Sequence, residues 1–170
     1  ISPAEVKVRR FEQLLDTIGV AHSPAALSAR YLECLASCSE LVEDAAAALE
    51  TLHTNYRLAI LTNGLTVVQR GRLARSVIRH HVSEIIISEE IGAAKPARAF
   101  FDTAFARLGH PPKSEVLMVG DGWASDIEGA VNYGIDACWY NPARKPPPTR
   151  LAITREVASL SELTDWLSKL

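Results

Sequence analysis

The sequence has few cysteines and no long apolar run, and both absences narrow the kind of protein it encodes. Its three cysteines, Cys34, Cys38 and Cys138, have neither the even count nor the spacing of a disulfide framework, so we expect a reducing, cytoplasmic location. No apolar stretch approaches the length that crosses a bilayer, which predicts no membrane partner. Residues 1–13 also lack the apolar segment of a signal peptide.

A strong excess of charge of one sign is absent as well. The formal net charge is −2, which gives no reason to expect a nucleic acid polymer or an anionic lipid surface as a partner. The 170 residues are 48% hydrophobic and 22% charged, a composition typical of a soluble globular protein with one substantial core.

The first part of the chain predicts helices without strands. One apolar stripe at helical spacing consists of Phe11, Leu14, Leu15 and Ile18. Gly19 ends this helix, and Ser23 with Pro24 begins a second one, whose stripe is Leu27, Tyr31 and Leu35. We interpret residues 1–43 as part of a small helical unit.

From about residue 44 to the end, apolar strands alternate with helices. The predicted strands cover residues 57–64, 84–88, 115–120 and 135–141. Continuous apolar strands that alternate with helices predict a parallel sheet covered on both faces, so residues 44–170 are expected to form a doubly wound α/β domain. Ligands bind beyond the carboxyl ends of the strands in such domains.

Two carboxylates follow the strand that ends at Gly120. Asp121 lies at the strand tip and Asp126 in the first turn of the next helix. A turn residue followed by a helix-opening acid explains this pattern without any function. Alternatively, the two side chains face one small volume and hold Mg²⁺, which takes oxygen ligands from one or two carboxylates and a substrate phosphate.

Two further groups at predicted strand ends suit a phosphate ligand. Thr62, Asn63 and Gly64 form either an ordinary turn or an anion-binding turn that offers a hydroxyl and successive backbone N–H groups. Lys95 is either a solvated loop lysine or a cation beside a phosphoryl group.

Taken in order, these motifs resemble those of the haloacid dehalogenase (HAD) superfamily. The resemblance rests on "LTNG" (61–64), "EEIGAAKPARAFFDTAF" (89–105) and "VLMVGDGWASDIEGAVNYGIDACWYNP" (116–142), which match its second to fourth motifs. It extends from about residue 44 to the end, and the preceding helices resemble part of the helical cap of the first cap class. The residues of these motifs are most similar to those of the nucleotidase-like branch, which hydrolyses nucleoside monophosphates.

The resemblance implies a role for each of these residues. Thr62 and the backbone of Asn63 and Gly64 would bind phosphate oxygens, and Lys95 would neutralise the nucleophile and the phosphoryl group. Asp121 would ligate Mg²⁺, and Asp126 would position the ion or its waters. Gly122 departs from the pattern, because Ser, Thr or Asn is more usual directly after the metal aspartate, and a side-chain hydrogen bond is expected to be missing there.

The first motif of the superfamily, a D-x-D that supplies the nucleophile and the acid/base, does not occur in these residues. We therefore expect an N-terminal segment of the same protein to carry it. In the fold that the chain resembles, that segment provides a central strand between the strands that end at Thr62 and Gly120.

The resemblance thus predicts a Mg²⁺-dependent phosphatase that acts on a small phosphate monoester through an aspartyl-phosphate intermediate. One alternative is a 2-haloacid dehalogenase of the same superfamily, which needs no metal; Gly120 and Asp121 argue against it. Another is a non-catalytic binding domain without the nucleophile. Trp123 beside the predicted metal site is expected either to stack on a base or to pack against the cap. The sequence predicts neither the substrate nor the oligomeric state.

Overall fold

The computed structural model describes residues 3–170, so Ile1 and Ser2 of the predicted helical unit lie outside the described part. The helices are α1 (Pro3–Ile18), α2 (Pro24–Ser37), α3 (Ala45–Leu52), α4 (Thr66–Arg75), α5 (Ser88–Ile91), α6 (Arg98–Arg107), α7 (Glu128–Tyr133) and α8 (Leu160–Leu167). The strands are β1 (Leu58–Thr62), β2 (Val82–Ile87), β3 (Leu117–Gly120), β4 (Asp136–Tyr140) and β5 (Arg155–Val157).

The first two helices pack against each other along part of the predicted apolar stripe. Phe11 and Leu15 of α1 are buried, and the ring of Phe11 meets Tyr31 of α2 edge-on at a centroid distance of 5.5 Å. Leu14 and Ile18 are 46% and 56% exposed, because the contact with α2 covers only part of the stripe. The helical unit therefore has an apolar surface that no described residue covers.

All strands in the described chain are parallel, and they form two separate sheets. β1 pairs with β2, while β3, β4 and β5 pair in that order. Within residues 3–170, no backbone ladder joins β1 to β3. The residues of β1 are all half-buried, whereas Ile85, Ile86 and Ile87 of β2 are buried.

The core lies on both faces of the sheet, as a doubly wound fold requires. On one face, α6 and α7 cover a cluster that includes Phe101, Ile127 and Trp139. On the other face, α3 and α8 cover Cys138 and Val157. Consecutive residues of β4 thus point to opposite faces and both are buried, which explains why the strand reads as a continuous apolar run. The α/β fold class predicted from the sequence is confirmed.

Two predicted helices are divided in the structure. The segment 66–81 forms α4 only to Arg75, because Ser76 adopts an extended conformation and its hydroxyl accepts the N–H of Ile78 at the start of a 3₁₀ turn. The segment after Gly120 begins with a π-helical turn over Trp123–Ile127, which precedes α7. Among the described helices, none has the length and apolar character needed to span a membrane.

Candidate active site

The predicted site residues lie at the carboxyl ends of β1 and β3 and in the loop before α6. Thr62 is the last residue of β1, and Asp121 follows the last residue of β3. Since parallel strands place their carboxyl ends at one edge of a sheet, these positions share the edge at which ligands bind in such folds. Lys95 reaches the same edge from the loop between α5 and α6.

The Lys95 ammonium group connects the sheet that contains β1 with the segment that follows β3. Its Nζ lies 2.7 Å from Oδ1 of Asp126 and donates to the backbone carbonyl of Leu61 in β1 at 2.6 Å. The side chains of Lys95 and Asp126 are only 7% and 9% exposed. A buried charge is destabilising unless it is paired and hydrogen-bonded, and both conditions are met here. Lys95 is therefore not a solvated loop lysine, and its cation is held at the tip of β1.

Asn63 fixes the loop that carries Lys95. Its side-chain amide donates to the carbonyl of Lys95 at 2.9 Å, and its side-chain oxygen accepts the N–H of Lys95 at 2.8 Å. From the sequence, only the backbone of Asn63 was expected to belong to the site. The hydrogen bonds of its side chain to Lys95 were not predicted. No local sequence pattern predicts this pair of hydrogen bonds, because Asn63 and Lys95 are 32 residues apart along the chain.

Thr62 and Gly64 form a small turn at the end of β1. The N–H of Gly64 donates to Oγ1 of Thr62 at 3.1 Å. Because a hydroxyl oxygen that accepts a hydrogen bond still has its own proton to donate, the Thr62 hydroxyl remains able to bind an anion. The Gly64 N–H is engaged in this turn.

Asp126 is surrounded by donors. Its Oδ2 accepts the N–H of Gly122 at 3.0 Å, and its Oδ1 accepts the hydroxyl of Ser125 at 3.2 Å in addition to Lys95. A Cβ atom at Gly120 would lie 2.5 Å from Oδ2 of Asp126, so only glycine allows the strand tip to approach this carboxylate. The π-helical turn, a feature frequent at functional sites, places Asp126 back over the end of β3.

Asp121 contrasts with Asp126 in its surroundings. It is exposed, and within the described residues its carboxylate has no hydrogen bond or ion pair, although its backbone carbonyl accepts Nε1 of Trp139 at 3.2 Å. The site thus combines one open and one buried carboxylate. No group of three or more His, Cys, Asp and Glu side chains that suits a metal ion occurs in the part of the chain that the structure describes. Two carboxylates that leave room for waters and phosphate oxygens fit Mg²⁺, a hard cation that retains several waters.

The structure corrects both interpretations of Trp123. Its ring is buried, 9% exposed, and meets the ring of Trp139 edge-on at 4.8 Å. Its Nε1 donates to Glu128 and to Thr149, both at 3.0 Å. Trp123 therefore belongs to the core beneath the site, where it anchors the proline-rich loop through Thr149. Its buried ring presents no face for stacking on a base, and the partners that it has among the described residues belong to the α/β part of the chain.

The chain is similar to a family of hydrolases over most of its length. A sequence model of the family described as haloacid dehalogenase-like hydrolase matches residues 4–134. Two curated relatives are pyrimidine 5′-nucleotidases. One, from Escherichia coli (strain K12), is 35% identical over 169 residues that cover 99% of this chain and 74% of the relative. The other, from Streptococcus pneumoniae, is 34% identical, with coverages of 99% and 72%.

A solved structure has a similar fold. The crystal structure of the HAD-hydrolase YfnB from Bacillus subtilis, bound to magnesium, superposes with a TM-score of 0.87 at 31% sequence identity. The superposition covers 98% of this chain and 73% of the other. The similarity includes the two helices that precede the α/β part, since almost the whole chain is covered.

Proposed function

This chain belongs to the haloacid dehalogenase-like hydrolases, and we propose that the protein is a Mg²⁺-dependent phosphatase of small phosphate monoesters. The pyrimidine 5′-nucleotidases among its relatives favour a nucleoside monophosphate as the substrate. The observation that supports phosphate chemistry most is the buried Lys95 beside Asp126, at the edge where Asp121 presents an open carboxylate.

Each site residue has a task that its surroundings support. The hydroxyl of Thr62 and the backbone N–H of Asn63 bind phosphate oxygens at the tip of β1. Lys95 neutralises charge on the phosphoryl group, and its ammonium is already oriented by the Leu61 carbonyl and Asp126. Such preorganised charge is the main source of catalysis in phosphoryl transfer.

Asp121 and Asp126 would hold the cation. Asp121 is the direct ligand, because its carboxylate is exposed and unengaged among the described residues. Asp126 has its oxygens engaged by Lys95, Ser125 and Gly122, so it orients the ion's waters through a fixed carboxylate. When bound, Mg²⁺ supplies positive charge to the phosphate oxygens.

The nucleophile is proposed to be an aspartate in a segment upstream of Ile1. One of its carboxylate oxygens forms a bond to phosphorus while the bond to the ester oxygen breaks, and the alcohol leaves with a proton from the second aspartate of the same motif. Water then gives a proton to that second aspartate and attacks the phosphorus of the aspartyl phosphate, which releases phosphate and restores both the nucleophilic carboxylate and the acid. The two displacements together consume one water molecule for each ester.

The unjoined edges of β1 and β3 support the position proposed for that segment. A parallel strand between them would pair the backbone groups that these edges leave open, and it would bury the half-exposed side chains of β1. It would also end at the same edge as Thr62 and Asp121. The proposed strand would therefore bring a nucleophile to the edge of the sheet at which Lys95 lies.

Chelation tests the proposed function and separates it from its alternatives. We expect the full-length protein to hydrolyse p-nitrophenyl phosphate in the presence of Mg²⁺, to stop when EDTA is added, and to recover with excess Mg²⁺. Metal-independent release of halide from a 2-haloacid, with undiminished rates in EDTA, would support the dehalogenase instead. Binding of phosphate esters without turnover under any of these conditions would support a non-catalytic domain.

A further inference from the structure

The space beside Gly122 is filled by another side chain. A Cβ atom at this position would lie 2.4 Å from Oγ of Ser125 and 3.0 Å from Oδ2 of Asp126. The Ser125 hydroxyl therefore occupies the volume that any larger residue at position 122 would need. Since Oγ is the end of a rotatable side chain, a residue introduced at 122 would displace this hydroxyl and leave the backbone in place.

The Ser125 hydroxyl is directed to the functional carboxylate. It donates to Oδ1 of Asp126 at 3.2 Å, the same oxygen that lies 2.7 Å from Nζ of Lys95. The N–H of Gly122 donates to the other oxygen, Oδ2, at 3.0 Å. Asp126 is thus held by three donors from three residues, two of them on Oδ1 and one on Oδ2.

Serine at the start of a helix is most often a capping residue, and the structure argues against that role here. Neither the π-helical turn Trp123–Ile127 nor α7 has a side-chain cap hydrogen bond. Asp126 accepts the only hydrogen bond that the Ser125 hydroxyl donates in the described part of the chain. Ser125 is also half-buried, so its hydroxyl does not simply face solvent.

We propose that Ser125 is a positioning residue whose hydroxyl replaces the side chain that Gly122 lacks and orients Asp126 for the cation site. This inference rests on the proposed function, because it assigns Ser125 through the role of Asp126 toward Mg²⁺. Glycine at 122 and serine at 125 form one unit in this arrangement, since the absence of a side chain at 122 leaves room for the Ser125 hydroxyl.

A double-mutant cycle on the full-length protein tests this coupling. Ser125→Ala removes the hydroxyl, and Gly122→Ala displaces it. Because partners of metal-site carboxylates usually contribute ten- to a hundredfold, each change should weaken Mg²⁺ binding and lower kcat by about tenfold, with KM changed by less than about threefold. Mg²⁺ affinity is measured by calorimetry without substrate, and the midpoint of thermal unfolding identifies any variant that loses its fold.

The combined variants distinguish positioning from a general loss of stability. G122A/S125A should be no worse than either single variant, since the second change removes nothing that is left. G122S/S125A places a hydroxyl at residue 122, near Oδ2 of Asp126. This variant should recover both Mg²⁺ affinity and kcat to within about threefold of wild type. Ser114→Ala, at an exposed turn, is the matched control and should change neither.

The outcomes separate this inference from the proposed function. S125A with wild-type Mg²⁺ affinity and kcat, fully additive effects of S125A and G122A, or no recovery in G122S/S125A would each overturn the role of Ser125. If Asp121→Asn abolishes Mg²⁺ binding while S125A binds normally, only this inference fails. If the wild-type protein binds no Mg²⁺, the proposed function fails and the role of Ser125 fails with it.

Discussion

At the scale of single residues, the Lys95 ammonium lies between two parts of the fold that no ladder joins in the described chain. It contacts Leu61 on β1 and Asp126 after β3. The side chain of Asn63 also forms hydrogen bonds with the backbone N–H and carbonyl of Lys95. Its geometry is thus set before any ligand binds. A charge fixed in this way acts on the transition state without reorganisation, which is how electrostatic catalysis operates.

Replacing Lys95 by alanine should therefore affect turnover more than substrate binding. We expect Lys95→Ala in the full-length protein to lower kcat by about two to three orders of magnitude, with a smaller change in KM, because phosphoryl charge is largest in the transition state. Lys169→Ala, in the exposed C-terminal turn, serves as the control. A K95A variant within twofold of wild type in steady-state kinetics would remove Lys95 from the site.

At the scale of elements, Glu89 of α5 connects α1 to the first turn of α4. Its Oε2 accepts the N–H of Thr66 at 2.7 Å, and its Oε1 lies 2.6 Å from Nζ of Lys7. α4 has no capping hydrogen bond from its own N-cap residue, Leu65, so Glu89 supplies it from another element. The hydrogen bond from Lys7, followed by that from Thr66, lowers the pKa of Glu89 from its ordinary value.

The lowered pKa of Glu89 predicts a pH-dependent contribution to stability. A carboxyl whose folded pKa is below its ordinary value of 4.5 stabilises the fold above that pH and loses the contribution as pH falls through the folded value. Near pH 7, Glu89→Gln should lower the free energy of unfolding by about 0.5–1 kcal/mol, and the difference should shrink as the pH falls below 4.5.

Urea unfolding of the full-length protein at several pH values measures this difference. Glu33→Gln removes the exposed Arg30–Glu33 pair, whose side chains are 75% and 67% exposed, and should change stability by less than about 0.5 kcal/mol. A pH-independent difference for E89Q, or one no larger than that of E33Q, would show that Glu89 does not support α4.

The elements that the sequence predicts well are those with local causes. The helix at Pro24 begins where Ser23 accepts the N–H of Ala26, and α8 begins with Ser159 accepting the N–H of Glu162. Both starts depend on residues three positions apart, which a sequence displays directly. The boundary between residues 1–43 and 44–170 stays a prediction.

The parts that the sequence does not predict depend on distant contacts. The Asn63 contact with Lys95 and the Glu89 cap of α4 join residues that only the fold brings together. The surroundings of Trp123 were also not predicted from the sequence. Its position beside Asp121 suggested that it stacks on a base or packs against the cap, whereas Trp139 and Glu128 hold it in the core. The positions of residues along the chain indicate which of them lie near the strand ends. They do not indicate where each side chain points.

At the scale of the whole molecule, the open edges of β1 and β3 predict how residues 1–170 behave alone. Unpaired backbone groups and half-buried strand residues at the centre of a sheet are unfavourable. We expect the isolated 170-residue chain to unfold without a cooperative transition and to hydrolyse no phosphate ester. The protein with its upstream segment should unfold cooperatively and hydrolyse phosphate esters. Circular dichroism melts of the two chains provide the comparison. A sharp transition from the monomeric 170-residue chain would contradict the proposed central strand.

The proposed function depends on the assignment of Asp121 as the residue that holds the Mg²⁺ required for hydrolysis of a phosphate monoester. Its most direct test is Mg²⁺-dependent release of phosphate by the full-length Asp121→Asn variant, with Asp165→Asn on the exposed side of α8 as the control. An asparagine keeps the shape of the side chain and removes the charge. We expect D121N to lose at least about a hundredfold in kcat/KM while D165N matches wild type, because the negative charge that binds the cation is removed. Wild-type phosphate release by D121N at the same Mg²⁺ concentration would contradict it.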